Sequence, residues 1–288
     1  MRPQNLKTRI FIDSGNQDET KEIIGLAGFL DGQTTNPTLV SKNPGARGHL
    51  EHGGKFTEKE VYDFYQDVVR KISSMIPQGS VSVEVYADPS TKAEAMLRQA
   101  KEMFSWIPNA HVKFPTSTEG LKAAEQAIKE GMRVNLTLCF SQEQAAAVYA
   151  ATRGAKKKGQ VFVSPFVGRL DDRGENGMDV VANIMMMYRE GDGHVEVLTA
   201  SVRNMDHFLY ALKLGSDIIT APFEILKAWA EKGLPLPGEE YVYDPKGLKE
   251  IPYKTIDLGK DWRKYDIGHD LTVKGMEKFS QDWNSLIR

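Results

Sequence analysis

Short apolar segments that alternate with helical segments predict an α/β fold, a (β/α)8 TIM barrel with a C-terminal extension ending in a helix. β-branched runs and helical periodicity alternate eight times between residues 9 and 231, the order produced by βα units around a parallel sheet. Eight units of roughly 30 residues suit a closed barrel. No Gly-x-Gly-x-x-Gly follows the first strand, so the dinucleotide fingerprint is missing and an open doubly wound sheet stands as the competitor. The expected division is a catalytic barrel over 1–232 and, over 233–288, an extended segment and helix packed on the barrel or on a neighbouring subunit.

In chain order, 9–14 (RIFIDS) is an apolar run reaching Asp13, and polar residues 15–20 lead into a helix ending near Ala27. Residues 29–36 (FLDGQTTN) read as the second strand. Pro37 stops it, and its fixed φ suits a first helical turn. Segment 45–55 is polar and reads as an exposed insertion. Its His49-x-x-His52 falls one residue short of i, i+4 spacing and lacks a nearby acidic ligand, so no metal is expected. Residues 57–76 carry Val61, Phe64, Tyr65, Val68, Val69 and Ile72 at helical spacing, with Thr57 and Glu60 forming a capping box. The strand 81–87 (VSVEVYA) contains Glu84, and a helix follows over 89–104. The strand 111–115 (HVKFP) contains Lys113 and precedes a helix over 119–130. In 133–139 (RVNLTLC), Asn135 and Thr137 are two apart and share a face. An alanine-rich helix covers 141–153, and 161–166 (VFVSPF) is a strand holding Ser164. A loop with Arg169 leads to the helix 178–188. Strand 196–200 and Ser201–Arg203 lead to the helix 205–214, and strand 217–220 to the helix 223–231.

Beyond 231 the texture changes. Residues 233–270 are rich in Pro, Gly, Tyr and charge, and read as a segment laid over the barrel and docked by its tyrosines and Trp262. Residues 271–287 read as a helix with Met276, Phe279, Trp283 and Leu286 on one stripe. That stripe packs on the barrel or on another subunit, so a homo-oligomer is expected; a partner-protein surface is the alternative.

Composition narrows the partners. A net charge of −2 carries no polyelectrolyte signal, so neither nucleic acid nor an anionic membrane is expected. The single cysteine, Cys139, excludes an intrachain disulfide and suits a reducing compartment. The first residues lack the apolar core of a signal peptide, and no apolar run is long enough to span a bilayer. The expectation is a cytoplasmic protein.

Strands covered on both faces should be apolar, and barrel function gathers at the C-terminal strand ends. The polar exceptions are Asp13, Asn36, Glu84, Lys113, Asn135, Thr137, Ser164 and Ser201, with Arg169 and Arg203 just beyond. Each has a plain account: Asp13 as a helix cap, Asn36 as a turn residue, Ser164 as small packing, the arginines as surface charge, Lys113 as a side chain snorkelling to water. Independent structural uses would not put polar groups at one height on strand after strand. Burial disfavours a charged ammonium, and a neutral amine attacks carbonyls, so Lys113 reads as a Schiff-base nucleophile toward a ketone. Imine chemistry needs an acid/base, which Glu84 supplies through a water positioned by Thr137. Cleavage one bond further on needs a second base, Asp13. Asn36 and Asn135 donate to substrate hydroxyls or the developing enamine. Arg169, Ser201 and Arg203 suit a phosphate, aided by the helix N-terminus that follows.

These stretches resemble the transaldolase family of class I aldolases: FIDSG, TTNPTLV, VSVEV, VKFPTSTEGLKAAE, VNLTLCFS, VSPFVGRLDD with Phe166, and TASVRN, in family order over about 9–229. The resemblance implies transfer of a dihydroxyacetone unit between sugar phosphates, such as from fructose 6-phosphate to erythrose 4-phosphate, with no cofactor or metal. Fructose 6-phosphate aldolases, also in the family, have Gln in place of Glu84 and Tyr in place of Phe166, so these two residues imply the transferase. The 45–55 segment and the tail from 233 depart from the family pattern.

Overall fold

The computed structural model describes residues 2–288. Eight parallel strands close into a barrel in sequence order. The chain runs β1 (Arg9–Asp13), α1 (Gln17–Ala27), β2 (Gly32–Thr34), α2 (Pro37–Ser41), α3 (Pro44–Glu51), α4 (Glu58–Met75), β3 (Ser80–Glu84), α5 (Ala93–Ser105), β4 (Ala110–Pro115) and α6 (Thr118–Lys129). It continues through β5 (Val134–Cys139), α7 (Gln142–Ala151), β6 (Val161–Pro165), α8 (Val167–Asp171), α9 (Gly177–Tyr188), β7 (Val195–Thr199), α10 (Met205–Leu214), β8 (Ile218–Ala221), α11 (Phe223–Glu231) and α12 (Asp270–Asn284). The doubly wound alternative is excluded, because β8 pairs with β1.

Local chemistry explains the boundaries. Asn16, Thr57, Ser117, Ser141 and Asn204 cap the helices that follow them, and Thr57 with Glu60 forms the full capping box. Asp13 is no cap, since Asn16 takes that place. Two segments depart from expectation. The polar 45–55 stretch is exposed, as expected, but its first part is helical: Pro44 starts α3, which buries only Ala46. Its histidines are used locally, His49 against the Phe56 ring at 4.4 Å and His52 Nδ1 against the Gly48 carbonyl at 2.6 Å. A short helix, α8, also fills what reads in sequence as a loop. β2 shrinks to three residues and contains Gly32, where a Cβ would lie 2.5 Å from the Phe11 ring.

The barrel's N-terminal end is plugged. Phe11 and Phe162 meet edge-on at 6.2 Å, His111 stacks on Phe162 at 4.0 Å, and Arg9 pairs with Glu196 at 2.7 Å. Burial pushes His111 down to about 3, so it is neutral. Its Nε2 faces the Gly159 carbonyl and donates to it, while Nδ1 accepts from Ser80. With this end sealed by packed side chains, chemistry is left to the other mouth.

The tail straps α9, α7 and α6 before crossing that mouth. The Ile251 N–H donates to Asp179, Gln142 exchanges hydrogen bonds with the Lys254 backbone, and Trp262 donates to Glu125. α12 then touches groups at the C-terminal ends of several strands. Thr272 donates to the Leu138 carbonyl after Thr137, Thr38 after β2 bonds Asp282, and Asn284 meets Tyr86 after β3. Its stripe of Met276, Phe279 and Trp283, with Leu286 just past its end, is buried within this chain, so the stripe no longer argues for an assembly surface. Among the described residues no helix is long and apolar enough to cross a membrane.

Candidate active site

Parallel register places Glu84 of β3 beside Lys113 of β4, and Lys113 beside Asn135 of β5. The side chains point inward, as their contacts require. Lys113 Nζ lies 2.8 Å from Glu84 Oε2 and donates to the Thr35 carbonyl at 3.0 Å. Both side chains are almost wholly buried, at 3% and 4% exposure, which excludes the snorkelling account of Lys113. Burial raises the Glu84 carboxyl, while the charge of Lys113 opposes the rise. A carboxylate of raised proton affinity beside an amine is suited to exchanging a proton with it.

Asp13, at the end of β1, accepts from Thr34 Oγ1 at 2.6 Å, and Thr34 also meets Thr220 at 2.6 Å. Burial raises the Asp13 carboxyl, with Lys113 and the Thr34 hydrogen bond opposing. The charge of Lys113 thus acts on both raised carboxyls.

Thr137 is fully buried, and its hydroxyl has no partner among the described residues; Glu84 Oε2 has the lysine's charge but no well-directed hydrogen bond. Both oxygens are left ready for a small polar molecule. Past Thr137 the ladder slips between Leu136 and Cys139, with Leu138 at φ 57°. This irregularity turns the Leu138 carbonyl toward Thr272 of α12.

Asn135 is oriented from both sides: Nδ2 donates to Ser82 Oγ at 3.1 Å and Oδ1 accepts from Ser164 Oγ at 2.6 Å. One amide proton remains for a substrate. Ser164 is thus a hydrogen-bonding support and not merely small packing. Asn36 Oδ1 caps α2 by accepting from the Leu39 N–H, as the turn account holds, and its amide NH₂ makes no hydrogen bond among the described residues.

Arg169 lies between Phe166 at 5.6 Å and Phe279 of α12 at 5.3 Å. Among the described residues it makes no hydrogen bond and no ion pair. Burial lowers its pKa, and the neighbouring charge of Arg203 adds to that. Arg203 is half exposed and pairs with Asp172 at 3.0 Å. Ser201 adopts φ 58°, and its carbonyl accepts from the Gly168 N–H at 3.0 Å. A Cβ on Gly168 would sit 2.4 Å from Arg203 Cγ, so glycine there lets the two loops meet. α10 begins only at Met205, and its first turn is already capped by Asn204.

Several supports escaped sequence reasoning. Thr34, Ser82 and the Asp171–His207 pair at 2.7 Å carry polar contacts around the site. Thr35 acts through its backbone carbonyl, for which no residue pattern exists. Thr34 and Ser82 had a signal, since each is a polar residue on a buried strand. Among the described residues no group of three His, Cys, Asp or Glu side chains is arranged to hold a metal.

A parallel barrel sealed at its N-terminal end, with a buried lysine and two carboxyls of raised pKa toward the C-terminal strand ends, is a (β/α)8-barrel enzyme site. Residues 10–288 match the family described as Transaldolase/Fructose-6-phosphate aldolase. A probable transaldolase of Methanococcus vannielii is 38% identical over 280 residues, covering 97% of this chain and 99% of that one. A probable transaldolase of Dehalococcoides mccartyi is 39% identical over 218 residues, 76% of this chain and 88% of its own. The chain belongs to the transaldolase/fructose-6-phosphate aldolase family, and is an enzyme of that type. In fold alone it is similar to 3-hexulose-6-phosphate synthase from Salmonella typhimurium, with a TM-score of 0.50 at 12% identity over 78% of this chain and 95% of that one.

Proposed function

We propose that the enzyme transfers a dihydroxyacetone unit from a ketose phosphate, fructose 6-phosphate or sedoheptulose 7-phosphate, to an aldose phosphate through a Schiff base on Lys113, within pentose phosphate interconversion. The observation that carries this reading is the buried Lys113 amine held 2.8 Å from Glu84.

Lys113 Nζ bonds to the ketose carbonyl carbon. Through a water shared with Thr137, Glu84 relays to the carbonyl oxygen one proton released by Nζ and one of its own, so that the oxygen leaves as water and a protonated imine remains. Asp13 then takes the proton of the hydroxyl two carbons beyond the imine carbon as the C3–C4 bond breaks. The first aldose departs, and its former bonding pair stays on the imine as an enamine. Asn36 and Asn135 donate hydrogen bonds to substrate hydroxyls and to the enamine. The enamine attacks the acceptor aldehyde, Asp13 returns its proton to the new alkoxide, and hydrolysis frees Lys113. These steps need neither metal nor redox cofactor. Ser164 orients Asn135, and Phe166 with Phe279 holds Arg169 for the phosphate beside Ser201 and Arg203.

Borohydride trapping with a ketose panel and peptide mapping tests the reading. Fructose 6-phosphate should leave a reduced adduct on Lys113, whereas a non-catalytic sugar-phosphate binder gains no mass. Turnover that requires erythrose 4-phosphate supports the transferase; release of free dihydroxyacetone without acceptor makes the chain an aldolase. For the phosphate subsite, Arg169→Ala should raise KM for fructose 6-phosphate by roughly 100-fold through loss of charge-assisted hydrogen bonds. Steady-state kinetics with fructose as control measures this; an equal loss for both sugars would remove Arg169 from phosphate binding.

A further inference from the structure

Two of the positions around Lys113 Nζ are occupied by acceptors from different strands: Glu84 Oε2 at 2.8 Å and the Thr35 carbonyl at 3.0 Å. When the amine is neutral, one N–H bond meets the Thr35 carbonyl, while Glu84 Oε2 stands on a second side at ion-pair distance without a well-directed hydrogen bond. The lone pair is left to the side that neither oxygen occupies. The aim of the nucleophile therefore depends on what holds Thr35 and Glu84.

One side chain reaches both. Tyr65 comes from α4, outside the barrel wall, and is fully buried. Its hydroxyl accepts from the Glu84 backbone N–H at 2.9 Å and meets Thr35 Oγ1 at 2.5 Å. The Thr35 hydroxyl donates its single proton to the Ser82 carbonyl at 2.7 Å. The proton between Thr35 and Tyr65 must then come from the phenol. A chain of donors runs in one sense, from the Glu84 N–H through Tyr65 and Thr35 to Ser82. Burial raises the Tyr65 phenol, so it stays a donor at any pH where imine chemistry proceeds. The ring is wedged between Trp106 at 5.7 Å and Trp283 of α12 at 5.8 Å, which leaves the hydroxyl little room to wander.

We propose that Tyr65 is a positioning residue for the lysine chemistry: its hydroxyl ties the Glu84 backbone to Thr35, and so holds both acceptors that orient the Lys113 amine. A phenylalanine would fill the same space between the two indoles, so packing alone does not call for the hydroxyl. The inference rests on the Schiff-base reading above, but concerns the rate and not the existence of the adduct.

The test is Tyr65→Phe, with Thr35→Val as the companion that cuts the same chain while keeping the carbonyl that faces Lys113. Single-turnover borohydride trapping with fructose 6-phosphate gives both the rate of adduct formation and the fraction of sites trapped. In both variants the rate and kcat should fall roughly 10-fold, since small misplacement of a reacting group is costly. KM should stay within about twofold and trapping should still reach completion. A purely structural tyrosine would lower the trapped fraction, or the melting temperature, without slowing the sites that remain folded. Wild-type rates in Tyr65→Phe overturn the proposal. Failure of the wild-type enzyme to be trapped at all overturns instead the Schiff-base reading on which it stands.

Discussion

Lys113→Met is expected to abolish turnover, by at least about 10³-fold, and to abolish borohydride trapping while leaving the barrel folded. No other described amine lies in the inward-facing Glu84–Lys113–Asn135 cluster, so nothing replaces the nucleophile. Methionine fills a similar unbranched volume in a fully packed layer. The substitution also strips Glu84 of its cation, and truncating one partner of a buried pair commonly costs about 3–5 kcal/mol when the other stays charged. Glu84 can avoid this by holding a proton. Its carboxyl is already raised above 4.5 by burial against the opposing charge of Lys113, and removal of that charge lets it rise further. The sign follows from linkage: a carboxyl whose folded pKa exceeds its unfolded one takes up a proton on folding, so stability falls as pH rises between the two values. The variant should therefore melt near the wild type in acid and fall progressively below it as pH rises through the raised pKa of Glu84. Thermal melts across that range measure this, and near-native activity in the variant would remove Lys113 from the mechanism.

Asp13→Asn should separate imine formation from bond cleavage. Loss of the base is expected to lower transfer by roughly 10²–10⁴-fold, whereas borohydride should still fix fructose 6-phosphate to Lys113, because Glu84 and Thr137 serve that step. Asp13 is also held at a raised pKa, chiefly by burial, so its ionised form weighs against folding at neutral pH. Asparagine keeps the Thr34 hydrogen bond as a neutral acceptor, and the melting temperature should rise at neutral pH and converge with the wild type in acid, where Asp13 is protonated in both states. Parallel loss of trapping and transfer would move Asp13 from cleavage to substrate binding.

Much of this site is legible one residue at a time. A lysine and a glutamate inside β-branched runs contradict their surroundings, and that contradiction is visible in VSVEV and HVKFP. Asn135 and Thr137 follow from strand alternation. The contacts were not legible. Which oxygen meets Lys113, that Ser164 serves Asn135, and that Tyr65 of a helix apparently devoted to packing reaches the backbone of Glu84 all depend on strand register and helix seating. α8 was missed because five residues are too short for a periodic signal, and α3 because glycines and histidines masked its Pro44 start. The stripe on α12 was plain, but not its resting place.

Sequence by itself determined the eight-unit alternation, the inward polar residues and the presence of a terminal amphipathic helix, because side-chain period and local capping are encoded within a few neighbouring residues. Tertiary structure alone decided that α12 lies over its own barrel mouth, bringing Phe279 to Arg169 and Trp283 to Tyr65. Contacts between segments more than a hundred residues apart reflect the shape of the closed barrel, and no local pattern carries that shape.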